Sequence, residues 1–475
     1  MLHSKNRKAF ALVLYLLFSM VLLPMVMAGE EDSLAEQWME LGEIMMNARR
    51  YQEASLYFQQ ALTEEPDLYE AHFYLMTASI YLEEYEVAMQ HFTLARHVFP
   101  YDFNLYVSAS NILMAQHQWE EAILLLEKAR NLFSASDTLY AMIGYGYKNL
   151  GNWNEAIYNL EIALRLNANN LDNYLELALL YHQAGYASSG LQLLVSALEI
   201  MEPDYRIFYY GATIHFASSN IEEALEWLNT GINTVGDHAM LYSLMAEIYL
   251  SDHQFDRALD VLFYTLDEAE NYPGIAFILG KVYFALEDYQ HAIATFEYLL
   301  SLENYRGSAL NYLGMIYIVL EDYPTALDYF HELSPLKEYT YNAYLNMGWI
   351  YHVMGKEEEA LYSFQRCQEI NPTDSTLLSN LGLVYLYLQQ YDLSLSYLLA
   401  SVRSQDQSFG FLYLAAFYAQ TGAMDKAMLF FKRGLIEGDS LKLFLNHDIL
   451  NEPAFAPLIN HPDFEAILME FYSTY

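Results

Sequence analysis

Residues 35–68 carry Trp38, Leu41-Gly42, Ala54, Phe58, Ala61 and Pro66, and 34 positions further on the chain carries Leu75, Ala88, Phe92, Ala95 and Pro100. The frame continues without insertion through Ile143-Gly144-Tyr147-Ala156-Ala163 and Leu279-Gly280-Tyr283-Ala292-Phe296. Leu313-Gly314-Tyr317-Ala326-Phe330 follows, then Met347-Gly348-Tyr351-Ala360-Phe364 with Pro372. An eleventh copy keeps Leu381-Gly382-Tyr385, and a twelfth comes after a one-residue slip with Leu414, Tyr418, Ala427 and Phe431. Units of this length cannot bury an apolar face alone and become stable by stacking on their neighbours. A length of 475 residues would suggest about three domains. The period predicts one elongated array instead.

These residues resemble the tetratricopeptide repeat family, and the resemblance covers residues 35 to about 441. It implies an all-α, right-handed α-α superhelical solenoid of about twelve 34-residue helix–turn–helix repeats, the array running over 35–442. Helix A is expected over about positions 1–14 of each copy and helix B over about 16–28. Small residues at positions 8, 20 and 27 let helices approach to roughly 8–10 Å. Gly42, Gly144, Gly280 and Gly382 fall inside helices, where glycine costs about 1 kcal/mol against alanine, so a close approach must require it. Pro66, Pro100 and Pro372 are placed to stop helix B. Some copies depart: Gly190 and Ser394 stand at position 20, and Leu299, Leu333 and Ser401 at position 27, where bulk should alter local packing. Residues 29–34 read as an acidic lead-in. Residues 443–475, out of frame and punctuated by Asn451-Glu452-Pro453 and His461-Pro462-Asp463, read as helical caps over the last apolar face.

The first 28 residues read as an address. Lys5, Arg7 and Lys8 precede an apolar run over 9–28, and Val26-Met27-Ala28 sets small residues before a cleavage point. Cleavage after Ala28 gives a secreted chain; without it, residues 9–28 anchor the chain in a membrane. Both readings export the rest, because positive charge precedes the run and Glu30-Glu31-Asp32 follows it. No Asn-x-Ser/Thr sequon occurs, which leans towards a bacterial periplasm or cell envelope.

Composition and motifs exclude much chemistry. A formal net charge of −39 is incompatible with neutralising phosphates, so nucleic acid is not expected as a partner. Neither a phosphate-binding glycine loop, nor a Gly-x-Ser-x-Gly elbow, nor His-Glu-x-x-His is present, so no catalytic, cofactor or metal site is expected. His91 and His97 lack ligand spacing. The single cysteine, Cys367, occupies position 27 and reads as a buried packing residue.

Function is therefore expected on a surface. The resemblance implies that positions 2, 5, 6, 9, 12 and 13 of helix A line a concave groove that receives extended peptide. The candidate groove is Phe73, Tyr74, Tyr81, Tyr145, Tyr209, Tyr210, Phe216, Glu247, Phe277, Phe284, Tyr312, Asn346, Trp349, Asn380, Tyr387 and Tyr413, together with Phe409. Glu36, Glu40, Glu43, Glu70, Asp172 and Glu176 add negative charge, and Lys148, Arg206 and Lys281 are the basic residues. These cations lie in separate repeats, so the Lys/Arg/Asn clamp that some family members close on a terminal carboxylate is not assembled. The expected function is a non-enzymatic scaffold of the cell envelope that binds protein or peptide, as exported polypeptide or an envelope complex subunit. A lipid- or glycan-handling component of an envelope export machine is the alternative. The 44 tyrosines do not by themselves signal binding. Eight fill position 11, five position 17 and five position 4, where they follow the repeat and read as packing.

Overall fold

A computed structural model describes residues 33–133, 135–265, 272–403, 408–436, 452–466 and 468–469. The expected address over 1–28, most of the lead-in and the start of the cap over 443–451 lie outside the described residues. Among the described residues, twelve A/B helix pairs run from Leu34–Asn47 with Tyr51–Glu64 to Ser408–Gln420 with Met424–Ile436. They are named repeats 1–12. No described helix is long and apolar enough to cross a membrane. The chain divides into two compact units, residues 1–236 with repeats 1–6 and residues 237–475 with repeats 7–12. Within each unit a helix A packs on its own helix B and on the next repeat.

Helix B begins at 51, 85, 119, 153, 187, 221, 255, 289, 323, 357 and 391, then at 424, so the register slips by one residue in the last repeat as the sequence indicates. The helix limits differ from expectation. Helix A generally ends at position 13, and a full helix B covers positions 17–30, as in Tyr51–Glu64. The cause is the turn at positions 14–16. In every repeat the position-16 N–H reaches the position-11 carbonyl, as Arg50 does Met45 and Lys356 does Tyr351, each at 2.8–2.9 Å. This Schellman turn requires a left-handed residue at position 15. Glycine fills it at Gly151, Gly185, Gly355 and Gly422, whereas eight other repeats hold a non-glycine residue at φ near 60°. The three prolines do not themselves interrupt helix B: the helices end at Glu64, Val98 and Ile370, and Pro66, Pro100 and Pro372 stand in the links beyond.

The small residues mark close approaches. A Cβ on Gly42 would lie 2.3 Å from the Phe58 ring, on Gly314 2.6 Å from Phe330, and on Gly348 2.5 Å from Phe364. Those rings are almost completely buried. Repeats 4 and 11 use the smaller Leu160 and Leu398 at the same place, against Gly144 and Gly382. Position 8 and position 24 thus share one volume. Gly348→Ala is expected to lower the stability of repeat 10 by about 1–3 kcal/mol through overpacking. Phe364→Leu in the same chain should recover part of that loss, and hydrogen exchange of repeat 10 in the two single and the double variant measures the coupling.

The departures at position 20 fit locally. A Cβ on Gly190 would meet the Ala178 carbonyl at 2.5 Å. Buried Ser394 donates its hydroxyl to the Gly382 carbonyl at 2.7 Å. Position 27 governs how far helix B runs. With alanine, glycine or Cys367 there, repeats 1–6 and 10 have helices of 14 or 15 residues. With Leu299, Leu333 or Ser401, the helix has 11 residues and ends at that residue. In repeat 7 it ends at Phe263, and buried Thr265 turns its hydroxyl back onto the Leu262 carbonyl at 2.8 Å. Ser401 does the same with Leu398 at 2.9 Å. Such back-bonding competes with helix continuation.

Candidate functional site

The residues expected on the helix-A face lie mostly half-buried, and many are held by rings of a neighbouring helix or repeat. Tyr74 stacks on Phe58 at 5.0 Å, and Tyr81 on Tyr51 at 4.4 Å while remaining 59% exposed. Phe73 meets Tyr69 and Tyr74, and Tyr145 meets Trp119 edge-on at 5.9 Å. Tyr209 and Tyr210 lie 5.9 Å apart in helix A of repeat 6, with half-buried Phe216 further along it. In the second unit, Phe277 and Phe284 both pack on Tyr312, which stacks on Phe296 at 4.8 Å. Trp349 meets Tyr323 at 6.3 Å. Asn346 donates to the Asn342 carbonyl of its own helix at 2.9 Å, and Asn380 is half-buried. The expected cluster around Tyr209 draws on both compact units: Tyr209, Tyr210 and Phe216 belong to the first, Glu247, Phe277 and Phe284 to the second.

Each basic residue of this face meets a carboxylate from an adjacent repeat. Lys148 bonds Glu176 at 2.7 Å, Arg206 bonds Asp172 at 2.8 Å, and Lys281 reaches Glu247 at 3.8 Å. Arg206 is also held by Asp204. Tyr210 lies among the first two pairs; burial, then the Glu176 charge, raises its hydroxyl pKa against the opposing pull of Lys148 and Arg206. Repeats 1 and 2 are different. Exposed Glu40, Glu43 and Glu70 have no cationic partner among the described residues, and they lie on the face that carries Tyr74 and Tyr81. Burial raises the Tyr74 pKa, helped by the charge and hydrogen bond of Glu43 and the charge of Glu70.

The histidines show contacts that sequence spacing did not suggest. His91 pairs not with His97 but with buried His72, Nδ1 to Nδ1 at 3.0 Å. The other nitrogen of His72 lies 3.0 Å from the Pro66 carbonyl. A neutral His72 donating there presents a bare Nδ1, to which His91 can donate. Burial and the neighbouring His72 push the His91 pKa down to about 4. Cys367 is fully buried, its thiol 3.4 Å from the Tyr341 carbonyl and its pKa pushed up to about 12 by burial and the Asp374 charge. The packing role read from position 27 holds.

The largest addition is at the C-terminal end. His352, at position 12 of repeat 10, is 8% exposed and lies between two carboxylates. Its Nδ1 is 2.9 Å from Glu357, the first residue of its own helix B. Its Nε2 is 3.7 Å from Glu452, outside the array. Tyr387 of repeat 11 donates its hydroxyl to Glu452 and accepts the Ala454 N–H at 3.2 Å. Gln420, the last residue of helix A in repeat 12, donates its amide to the carbonyls of Pro453 at 3.3 Å and Ala454 at 3.1 Å. Phe455 is fully buried with its ring 6.4 Å from that of buried Tyr413. Residues 452–455 are therefore seated on helix-A residues of repeats 10–12. A groove-face histidine followed five residues later by glutamate was visible in the sequence, but its second partner was not.

Tetratricopeptide repeat family models match residues 35–68, 279–338 and 341–374. The first and last of these coincide with repeats 1 and 10 as framed by the sequence period. The model for anaphase-promoting complex, cyclosome, subunit 3 matches residues 236–299. The chain belongs to the tetratricopeptide repeat family. A comparison with curated protein sequences returned no match. Among solved structures the chain is similar to yeast Tom70, at 12% identity over 86% of this chain and 97% of that one, with a TM-score of 0.42. It is also similar to MamA from Desulfovibrio magneticus RS-1, at 16% identity over 36% and 96% of the two chains, TM-score 0.34. YrrB, described as a TPR protein with an unusual peptide-binding site, matches at 21% identity over 39% and 95%, TM-score 0.32.

Proposed function

We propose that this chain is a non-enzymatic interaction scaffold of the cell envelope, exported by its N-terminal segment, and that its helix-A face binds polypeptide rich in basic and aromatic residues. The observation that carries the charge preference is the contrast along that face. Lys148, Arg206 and Lys281 are each paired with a carboxylate, while exposed Glu43 and Glu70 lie beside Tyr74, and neither they nor exposed Glu40 have a cationic partner among the described residues. Tyrosine suits contact with varied segments, offering a wide ring, two side-chain torsions and a polar tip. Carboxylates on such a surface steer basic segments in and disfavour acidic ones.

Fluorescent peptides of equal aromatic content but basic, neutral or acidic charge test this. The basic peptide should bind most tightly and weaken as salt screens the face. Glu40→Gln, Glu43→Gln and Glu70→Gln together should weaken it by roughly 1 kcal/mol or more, about fivefold. Tyr209→Ala with Tyr210→Ala should weaken capture in the first unit without lowering helical content. Acidic and basic peptides binding equally well would overturn the reading.

A further inference from the structure

The segment Glu452–Phe455 is held through three kinds of group at once. Its carboxylate meets the His352 imidazole and the Tyr387 hydroxyl. Its main chain is read by Tyr387, which accepts the Ala454 N–H, and by Gln420, which donates to two successive carbonyls. Its aromatic ring is buried beside Tyr413. Pro453 opens a 3₁₀ turn that sets the carboxylate and the ring on the same side, towards the array. A cap needed only to shield apolar surface would be satisfied by the buried Phe455, Leu458 and Phe464. It would not need an imidazole and a phenol converging on one carboxylate, nor an amide on two carbonyls. That set of contacts reads a peptide's side chains and backbone together.

We propose that the helix-A residues of repeats 10–12 form a recognition site for a partner polypeptide carrying a carboxylate, proline, a small residue and an aromatic in succession. The chain's own Glu452-Pro453-Ala454-Phe455 occupies this site, and the partner binds by displacing it. The inference shares with the proposed function only the premise that helix-A faces take polypeptide. The carboxylate is the discriminating group: at neutral pH it completes the coordination of a buried imidazolium, which an uncharged replacement leaves with Glu357 alone. The aromatic supplies the buried contact area, and the two carbonyls fix the direction of the bound segment.

A labelled peptide spanning residues 450–460, titrated into the full chain and into full-chain variants, tests the proposal. In Phe455→Ala the resident segment is loosened while the site residues are intact. In Glu452→Gln the side-chain volume is kept, so one of the two variants reports even if the other folds poorly. Against the natural chain, either variant should bind the peptide about ten- to a hundredfold more tightly, the scale of one charge-assisted hydrogen bond. A peptide with glutamine in place of its glutamate should lose about tenfold or more on the same variants. Equal affinity for natural and loosened chains, or indifference to that glutamate, would overturn the proposal and leave the segment as a structural cap. The peptide is acidic whereas the probes for repeats 1 and 2 are basic, so failure of one reading leaves the other standing.

Discussion

A chain carrying Arg49→Gly, Glu83→Gly, Ser219→Gly, Glu287→Gly, Glu321→Gly and Gln389→Gly is expected to be more stable than the natural sequence. All six residues sit at position 15 with φ between 58° and 62°. A side chain in that left-handed region costs roughly 1–2 kcal/mol, because Cβ crowds the carbonyl that follows it. Glycine removes the crowding but adds freedom to the unfolded chain, worth roughly 0.5–1 kcal/mol. The net gain per site is about 0.5–1 kcal/mol, or roughly 3–6 kcal/mol over six separated sites. Gly151, Gly185, Gly355 and Gly422 show that the same turn accepts glycine in this array. His117 and His253 hold the same conformation, but their rings pack edge-on against Trp119 and Phe255 at 5.6 and 5.8 Å. Glycine there forfeits a ring contact and should gain less. Urea unfolding followed by circular dichroism measures both sets. A six-site variant no more stable than the natural chain would refute the strain assigned to this turn.

The second large effect concerns pH and the segment after residue 451. Burial alone would lower the His352 pKa, but hydrogen bonds and charge from Glu357 and Glu452 outweigh it and push the value up to about 9. Burial acts to raise that of Glu452, and its bonds to His352 and Tyr387 with the His352 charge bring it below the ordinary carboxylate range. Tyr387 and Tyr413 are pushed upward chiefly by burial, so they stay protonated through the same window. Because the His352 value is raised on folding, its stabilisation is fully present below about 6.5 and is lost as pH rises through about 9. The Glu452 value is depressed, so its stabilisation is present above the ordinary carboxylate range and is lost as pH falls through the depressed value. Protection of the amides of residues 454–458, corrected for intrinsic exchange, should be full below about pH 6.5, decline between about pH 6.5 and 9, and level off above that. His352→Ala leaves half-buried Glu452 without its cation, which should weaken this region by about 1–3 kcal/mol. It should also abolish the alkaline decline. A decline that persists in His352→Ala would assign the pH dependence to another group.

Much of the fold was legible because its rules are local and repeated. Gly348 and Phe364 belong to one helix pair, and each of twelve copies restates the spacing that lets such residues meet. The tyrosines of position 11 were legible in the same way. Tyr317 stacks on Tyr329 at 5.6 Å and Tyr385 on Tyr397 at 5.4 Å, each against its own helix B. The candidate face was legible as a set of positions, but not in its electrostatics. Reading Lys148, Arg206 and Lys281 as isolated was correct along the chain. Their neutralisation depends on which carboxylate an adjacent helix A presents, and a spacing pattern does not encode that.

The amino-acid sequence by itself determined the repeat, its frame, the slip before the last copy and the small residues where helices meet. These follow from steric and apolar preferences between residues a helix or a repeat apart. Tertiary structure alone decided three things. It holds position 15 left-handed even where glycine is absent, because packing of helix A on helix B leaves the turn one path. It ends helix B early where position 27 is Leu299, Leu333 or Ser401. It also brings Glu452 to Tyr387, 65 positions away, and to His352. That last contact is a single, non-repeating encounter, paid for by burial of Phe455 and by a charge that only the folded array keeps in place. No period in the sequence could announce it.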